Sequence, residues 1–415
     1  MPNSTALSLV VIAAAAVIAP LIAELLRRWR IPSVLFELLL GIIIGPAVLG
    51  WVEVDEFIKG LSELGLAILF FMAGYEINFK KLRGAPINRG IAGWVFSLVF
   101  GLVVAVVLAF EGVVLSGLLV GLALTTTAIG TLLPMLRDRG MLETRFGHFL
   151  TAAGAVGEFG PILAVTLLLS AHNAGVEAIL LVIFATLAVG VATLASRPQP
   201  PKLVELLQRH LSTSTQLPVR IIILLIVALV VVAADLGLDN LLGAFAAGMI
   251  ARLALSPEQS EALTPRLEAI GFGFLIPVFF IVSGVNFDLD SLLGSASTML
   301  RVPMFLALML LVRGVPALFV YKGLLPARQR TSLMFLQATA LPLLVVITEI
   351  GLSSDRMTPQ NATALVGAGM VSVLAFPLIG FAILGRDGDG DGDDELDADG
   401  DEPRTAAGPE AFGEL

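Results

Sequence analysis

Glu158 stands in the stretch Ala152-Ala153-Gly154-Ala155-Val156-Gly157-Glu158-Phe159-Gly160-Pro161, near the middle of an apolar run from about 146 to 169. A run of that length crosses a bilayer. A carboxylate at mid-membrane depth is costly unless it is protonated, paired or facing a wet cavity, so ion or proton traffic is the default reading. The blander reading is a protonated acid that joins two helices through a hydrogen bond.

Arg313 is the second anomaly, near the centre of the apolar run 304–320. A guanidinium cannot shed its proton, so a carboxylate or backbone carbonyls must meet it. Thr125, Thr126 and Thr127 fall in mid-span on another run. Gln337 and Thr339 do so on a later one, followed by Pro342. Where such a helix unwinds, its carbonyls and hydroxyls become ligands for a hard cation. The alternative for the threonines is back-bonding to their own carbonyls. An ionised Glu158 brings one negative charge, suited to one monovalent cation or one proton.

Other polar residues are weaker candidates. Glu37 lies about a turn inside the second run and, with Thr339, is a candidate for an access path. Glu24 pairs in spacing with Arg28, and Glu76, Asp235 and Glu349 sit near helix ends, where snorkelling or capping explains them. His148, His172 and His210 have no neighbour at metal-ligand spacing. No phosphate loop, metalloprotease motif or nucleophile elbow is present. Neither cofactor, metal nor nucleic acid is expected as a partner, and the chain is not read as an enzyme.

The elements that must position these residues are set by composition. The 415 residues are 57% hydrophobic and 14% charged, with a mean hydropathy of +0.94. A soluble chain would carry about a quarter charged residues, so this is an all-α polytopic membrane protein. With no cysteine, disulfides and thiolate metal sites are excluded. The first run lacks a basic leader and a small-residue cleavage site, and is expected to be retained. The net charge of −9 comes from residues 387–415, which hold 12 acidic residues and one arginine. We expect a transport domain over 1–386 and a disordered acidic cytoplasmic tail over 387–415. The tail's Asp-Gly run has Ala398 where a calcium loop needs a bidentate glutamate.

Thirteen apolar runs of spanning length are predicted, at 5–26, 33–50, 60–79, 91–110, 113–136, 146–169, 176–195, 217–235, 238–254, 267–285, 302–321, 331–351 and 360–384. With the N-terminus outside and the C-terminus cytoplasmic, 20 basic residues fall in inner segments. Only Lys59, Arg301 and Arg356 fall outside. That is a strong positive-inside pattern. Helices seven apart share weak motifs. Phe70-Phe71-Met72-Ala73-Gly74 through Phe79 echoes Phe279-Phe280-Ile281-Val282-Ser283-Gly284 through Phe287. Thr125–Ala128 echoes Gln337–Pro342. Because seven is odd, two six-helix repeats are inverted, with the seventh helix as connector. Such repeats belong to secondary transporters with a midplane site.

Leu35–Gly50, Phe70–Leu82, Leu124–Gly140, Gly154–Ile162 and Phe272–Leu289 resemble the cation:proton antiporter (sodium/hydrogen exchanger) family, in its bacterial monovalent cation:proton antiporter-2 branch. The resemblance spans about residues 5–385. It implies a dimerising scaffold (helices 1–3 and 8–10) and a mobile core (4–6 and 11–13), with helices 5 and 12 broken and crossing. It places ion and proton binding on Glu158, Thr125–Thr127 and Gln337, with Arg313 as charge balance. The family's acidic pair falls on Gly157-Glu158, so only its second member is present. That implies electroneutral exchange of Na+ or K+ for H+ by a homodimer in the plasma (inner) membrane. Two other readings fit the same residues: a sodium-coupled organic-anion symporter with Arg313 on the substrate carboxylate, and a cation channel. The channel lacks a carbonyl filter.

Overall fold

The computed structural model describes residues 2–26, 31–76, 84–169, 174–195, 216–236, 238 and 240–385. The tail, His172, His210 and the basic connection at 77–83 lie outside these residues, as do Arg27, Arg28 and Arg30.

Among the described residues every regular element is helical. In chain order they are α1 (Pro2–Leu25), α2 (Ser33–Ile44), α3 (Glu56–Glu76), α4 (Ala85–Phe110), α5 (Gly117–Ala123), α6 (Ile129–Asp138), α7 (Arg145–Leu169), α8 (Ala174–Ala195) and α9 (Leu217–Asp235). There follow α10 (Asn240–Ala254), α11 (Pro257–Ile270), a π-helical turn at Gly271–Leu275, α12 (Ile276–Val285), α13 (Leu289–Leu293) and α14 (Ala296–Met309). A second π-turn at Leu310–Gly314 leads to α15 (Pro316–Val320), α16 (Ala327–Gln337), α17 (Pro342–Ser353) and α18 (Pro359–Leu384).

Of the thirteen predicted spans, nine correspond to stretches long and apolar enough to cross a membrane, and 33–50 and 238–254 are shorter apolar helices. Helix α2 stops at Ile44 because Pro46 pushes Gly45 into an extended conformation. Both π-turns lie just before a proline, Pro277 or Pro316. Proline lacks an N–H and its ring crowds the carbonyl four residues back, so the ladder widens upstream of it.

Two packed groups emerge from the contacts. In the first, α2 meets α12 and α3 meets α10 backbone to backbone. A Cβ at Gly41 would lie 2.2 Å from the Ile281 carbonyl oxygen, and one at Gly248 would lie 2.0 Å from that of Phe71. With no hydrophobic force between helices in lipid, such close approach through small residues supplies the packing energy. The second group is built from α4–α7 and α14–α18. Its centre is the most enclosed part of the molecule. The spans over 145–165 and 327–353 are 72% and 78% buried, against 22% for those in α1 and α4.

Candidate functional site

Both threonine- and glutamine-bearing segments are broken helices. Residues 124–128 separate α5 from α6, and residues 338–341 separate α16 from α17. The two gaps are tied to each other: the Ala128 N–H donates to the Thr339 carbonyl at 2.7 Å. Ser372 of α18 supports the second gap by accepting from the Ala340 N–H at 3.1 Å. These bonds satisfy backbone groups that hydrocarbon would leave unpaired.

The third participant is α7. The Thr127 N–H donates to the Gly157 carbonyl at 3.0 Å. Thr127 Oγ1 donates to the Gln337 carbonyl at 2.6 Å and accepts from Arg313 Nε at 2.8 Å. Arg313 Nη2 donates to the Ala153 carbonyl at 2.6 Å. Arg313 lies inside the wide turn at 310–314 and is 1% exposed. Gln337 clips two carbonyls of that turn. Its Nε2 donates to the Arg313 oxygen at 2.6 Å and to that of Gly314 at 3.3 Å.

Three glycines at a spacing of three let α7 enter this packing. A Cβ at Gly157 would lie 2.4 Å from Arg313 Nη2 and 2.5 Å from Thr127 Oγ1. One at Gly154 would lie 2.4 Å from Ile129 Cδ1, and one at Gly160 would lie 2.5 Å from the Trp94 ring. Gly157 is thus the position against which the guanidinium lies.

Glu158 is 4% exposed, and its Oε2 has no hydrogen-bond partner. Among the described residues no ion pair within 4 Å joins it to Arg313, which neutral oxygens hold instead. Next to Glu158 in the chain, Phe159 stacks on Phe245 of α10 at 4.6 Å, where the two packed groups meet. Thr125 and Thr126 are buried, and each hydroxyl donates to the carbonyl three residues back, at 2.8 Å. Both oxygens keep lone pairs to offer. Thr339 is buried and its hydroxyl donates weakly to Phe335 at 3.4 Å.

Glu37 is away from this cluster, on α2 in the other group, also buried and with an unpartnered Oε2. Glu76 is half-buried at the end of α3. Sequence reasoning missed the Ala153 carbonyl, which carries no sequence signal, and the part played by Gly157, whose signal was the Gly-x-x-Gly-x-x-Gly spacing. Among the described residues no cluster of three metal-ligating side chains occurs.

Comparison with known proteins gives a consistent set of likenesses. The family profile described as sodium/hydrogen exchanger, transmembrane, matches residues 13–385. YjbQ of Bacillus subtilis, named as a candidate Na+/H+ antiporter, is 27% identical over 397 residues, covering 91% of this chain. This chain spans 63% of the length of YjbQ. GerN of Bacillus cereus, a Na+/H+-K+ antiporter, is 29% identical over 66% of this chain and 70% of its own. The solved structure of the sodium proton antiporter MjNhaP1 from Methanocaldococcus jannaschii superposes with a TM-score of 0.61 at 16% identity. That likeness, of fold, covers 92% of this chain and 96% of MjNhaP1.

Proposed function

This chain belongs to the sodium/hydrogen exchanger family, and on that premise we propose that it exchanges a monovalent cation, Na+ or K+, for a proton across the plasma membrane. The observation that carries the reading is Glu158: a carboxyl group shut away from solvent, with an oxygen that no protein group satisfies, one residue from the carbonyl to which the broken helix is tied. Buried polar groups are almost always paired. One left open at the crossing of two unwound helices is where a ligand that comes and goes would bind.

In this reading Glu158 holds either the proton or the dehydrated cation, never both. One negative charge balances one positive charge in either state, so the exchange is electroneutral. The Thr125–Thr127 oxygens and Gln337 complete the cation's shell. Arg313 supplies the fixed positive charge that makes an empty, ionised Glu158 tolerable from a distance. Glu37 and Thr339 lie along the access route. The two packed groups act as scaffold and core of an inverted thirteen-helix repeat fold. The core slides past the scaffold at surfaces such as the Phe159–Phe245 stack, in a homodimer with an outer N-terminus and a cytoplasmic C-terminus. The names of YjbQ and GerN support the choice of ions.

The test is dye-monitored proton movement in proteoliposomes under separate Na+, K+ and Li+ pulses, without organic solute. The expected result is cation-dependent proton flux that Glu158→Gln lowers to that of protein-free vesicles. Undiminished flux in that variant would overturn the assignment of Glu158.

A further inference from the structure

At the end of the bundle where α18 begins, the 112–115 connection and the starts of α14 and α18 enclose a cavity of about 220 Å3 with Arg301 in its wall. The polar part of that wall is Ser295, Ser297, Thr298, Thr358 and Gln360, and no acidic side chain lines it. Arg301 is half-buried, and its Nη1 donates to Asn361 Oδ1 at 2.6 Å. Asn361, 1% exposed, is itself anchored by its amide nitrogen, which donates to the Val113 carbonyl at 2.9 Å. A neutral, buried partner thus fixes the guanidinium. Among the described residues its other N–H groups have no protein acceptor and its charge has no carboxylate partner.

Arg301 differs in this from Arg313, whose Nε and Nη2 both donate to protein oxygens. A positioned guanidinium with free donors suits an oxyanion, which accepts two parallel bonds from the fork. The electrostatics agree. Ser295 caps the 14-residue α14 and Thr358 caps the 26-residue α18, so the positive ends of two helix dipoles add to the field of the arginine. The surroundings say which oxyanion. Leu115 in the wall, and Phe110 and Leu300 near wall residues in the chain, are 65%, 87% and 69% exposed. Apolar side chains turned outward at helix ends of a membrane protein meet acyl chains. A positive, hydroxyl-lined cup next to such a surface matches a molecule with a phosphate head and hydrocarbon tails.

We propose that this cavity binds the headgroup phosphate of an anionic phospholipid, with Arg301 as the phosphate ligand and the Ser297, Thr358 and Gln360 side chains around it. The lipid would lock the 112–115 connection onto the starts of α14 and α18. This assignment is independent of the transported ion.

The experiment is thermal unfolding of the detergent-purified full chain with phosphatidylglycerol, phosphatidylcholine or inorganic phosphate added. Phosphatidylglycerol is expected to raise the midpoint by a few degrees in the wild type, and phosphatidylcholine and inorganic phosphate to leave it in place. Arg301→Gln should abolish the rise. Gln360→Glu, at an exposed wall position with no packing role, should do so as well by placing a negative charge in the cup. It serves as the deciding variant should Arg301→Gln fail to fold. An equal rise with phosphatidylcholine or with inorganic phosphate, no rise with phosphatidylglycerol, or a full rise retained by Gln360→Glu would each overturn the proposal.

Discussion

Arg313 and Glu158 are both buried at the centre of the helix bundle, and the protein treats them in opposite ways. The guanidinium is met by Thr127 Oγ1 and the Ala153 carbonyl, it lies against the bare Cα of Gly157, and the turn that carries it is clipped by Gln337. The carboxyl group keeps an oxygen with no partner. A side chain that cannot change its charge is built in permanently, since an unmatched fixed charge would undo the fold. In the proposed exchange, the one that can gain and lose a proton is left unmatched because its partner comes and goes. Burial alone therefore does not separate these two side chains; incomplete satisfaction does.

The contrast can be broken by substitution. Glu158→Gln should give the largest functional effect, loss of cation-driven proton flux in vesicles, while the thermal midpoint stays near that of the wild type. A large fall in midpoint would mean that Glu158, too, is structural. Arg313→Ala should do the reverse, with a loss of about 3–5 kcal/mol from the vacated volume and the stranded Ala153 carbonyl. Reduced expression and a lowered midpoint by fluorescence-detected gel filtration would show it. Gly157→Ala should cost about 1–3 kcal/mol, because the new methyl displaces the guanidinium; the same chromatographic assay measures it. The smallest effect is expected where the ionisable group is in water. Asp55, at the start of α3, receives a hydrogen bond from the Thr5 hydroxyl and another from the Ile58 N–H, and these hold its carboxyl below its ordinary value of 3.8. The stabilisation is present above that value and is lost as the pH falls through the depressed one. Thr5→Val should lower the midpoint slightly at neutral pH, and the difference from the wild type should vanish as the pH falls through the depressed value. A difference that persists undiminished in acid would show that Thr5 packs α1 in some other way.

Much of this was legible in the sequence because membrane chemistry writes in a small alphabet. An acid and an arginine in apolar runs are conspicuous by cost, and Pro342 after Gln337 and Thr339 marked the second break. The first break was readable from three adjacent threonines, although two of their hydroxyls turned out to bond back to their own segment. What stayed hidden was the contact geometry. No residue type announces that the Ala153 carbonyl faces a guanidinium. Glycine at 157, read only as a missing acid, is also the clearance that Arg313 needs. The wide turns had a visible cause in Pro277 and Pro316, but a proline in a membrane helix can equally produce a kink or be absorbed by neighbours.

The turn at 310–314 has one more consequence, for which changes this gene can survive. The Val315 N–H reaches five residues back to Leu310, so this stretch holds one residue more than a regular turn would. Each residue of an α-helix advances the side-chain direction by about 100°. Deleting one of the five would restore the ordinary ladder and turn Arg313 away from the Thr127 and Ala153 oxygens that hold it. A substitution at Leu310 or Leu311 touches one side chain, whereas a shortened segment would release Arg313 from both of its partners in a single event.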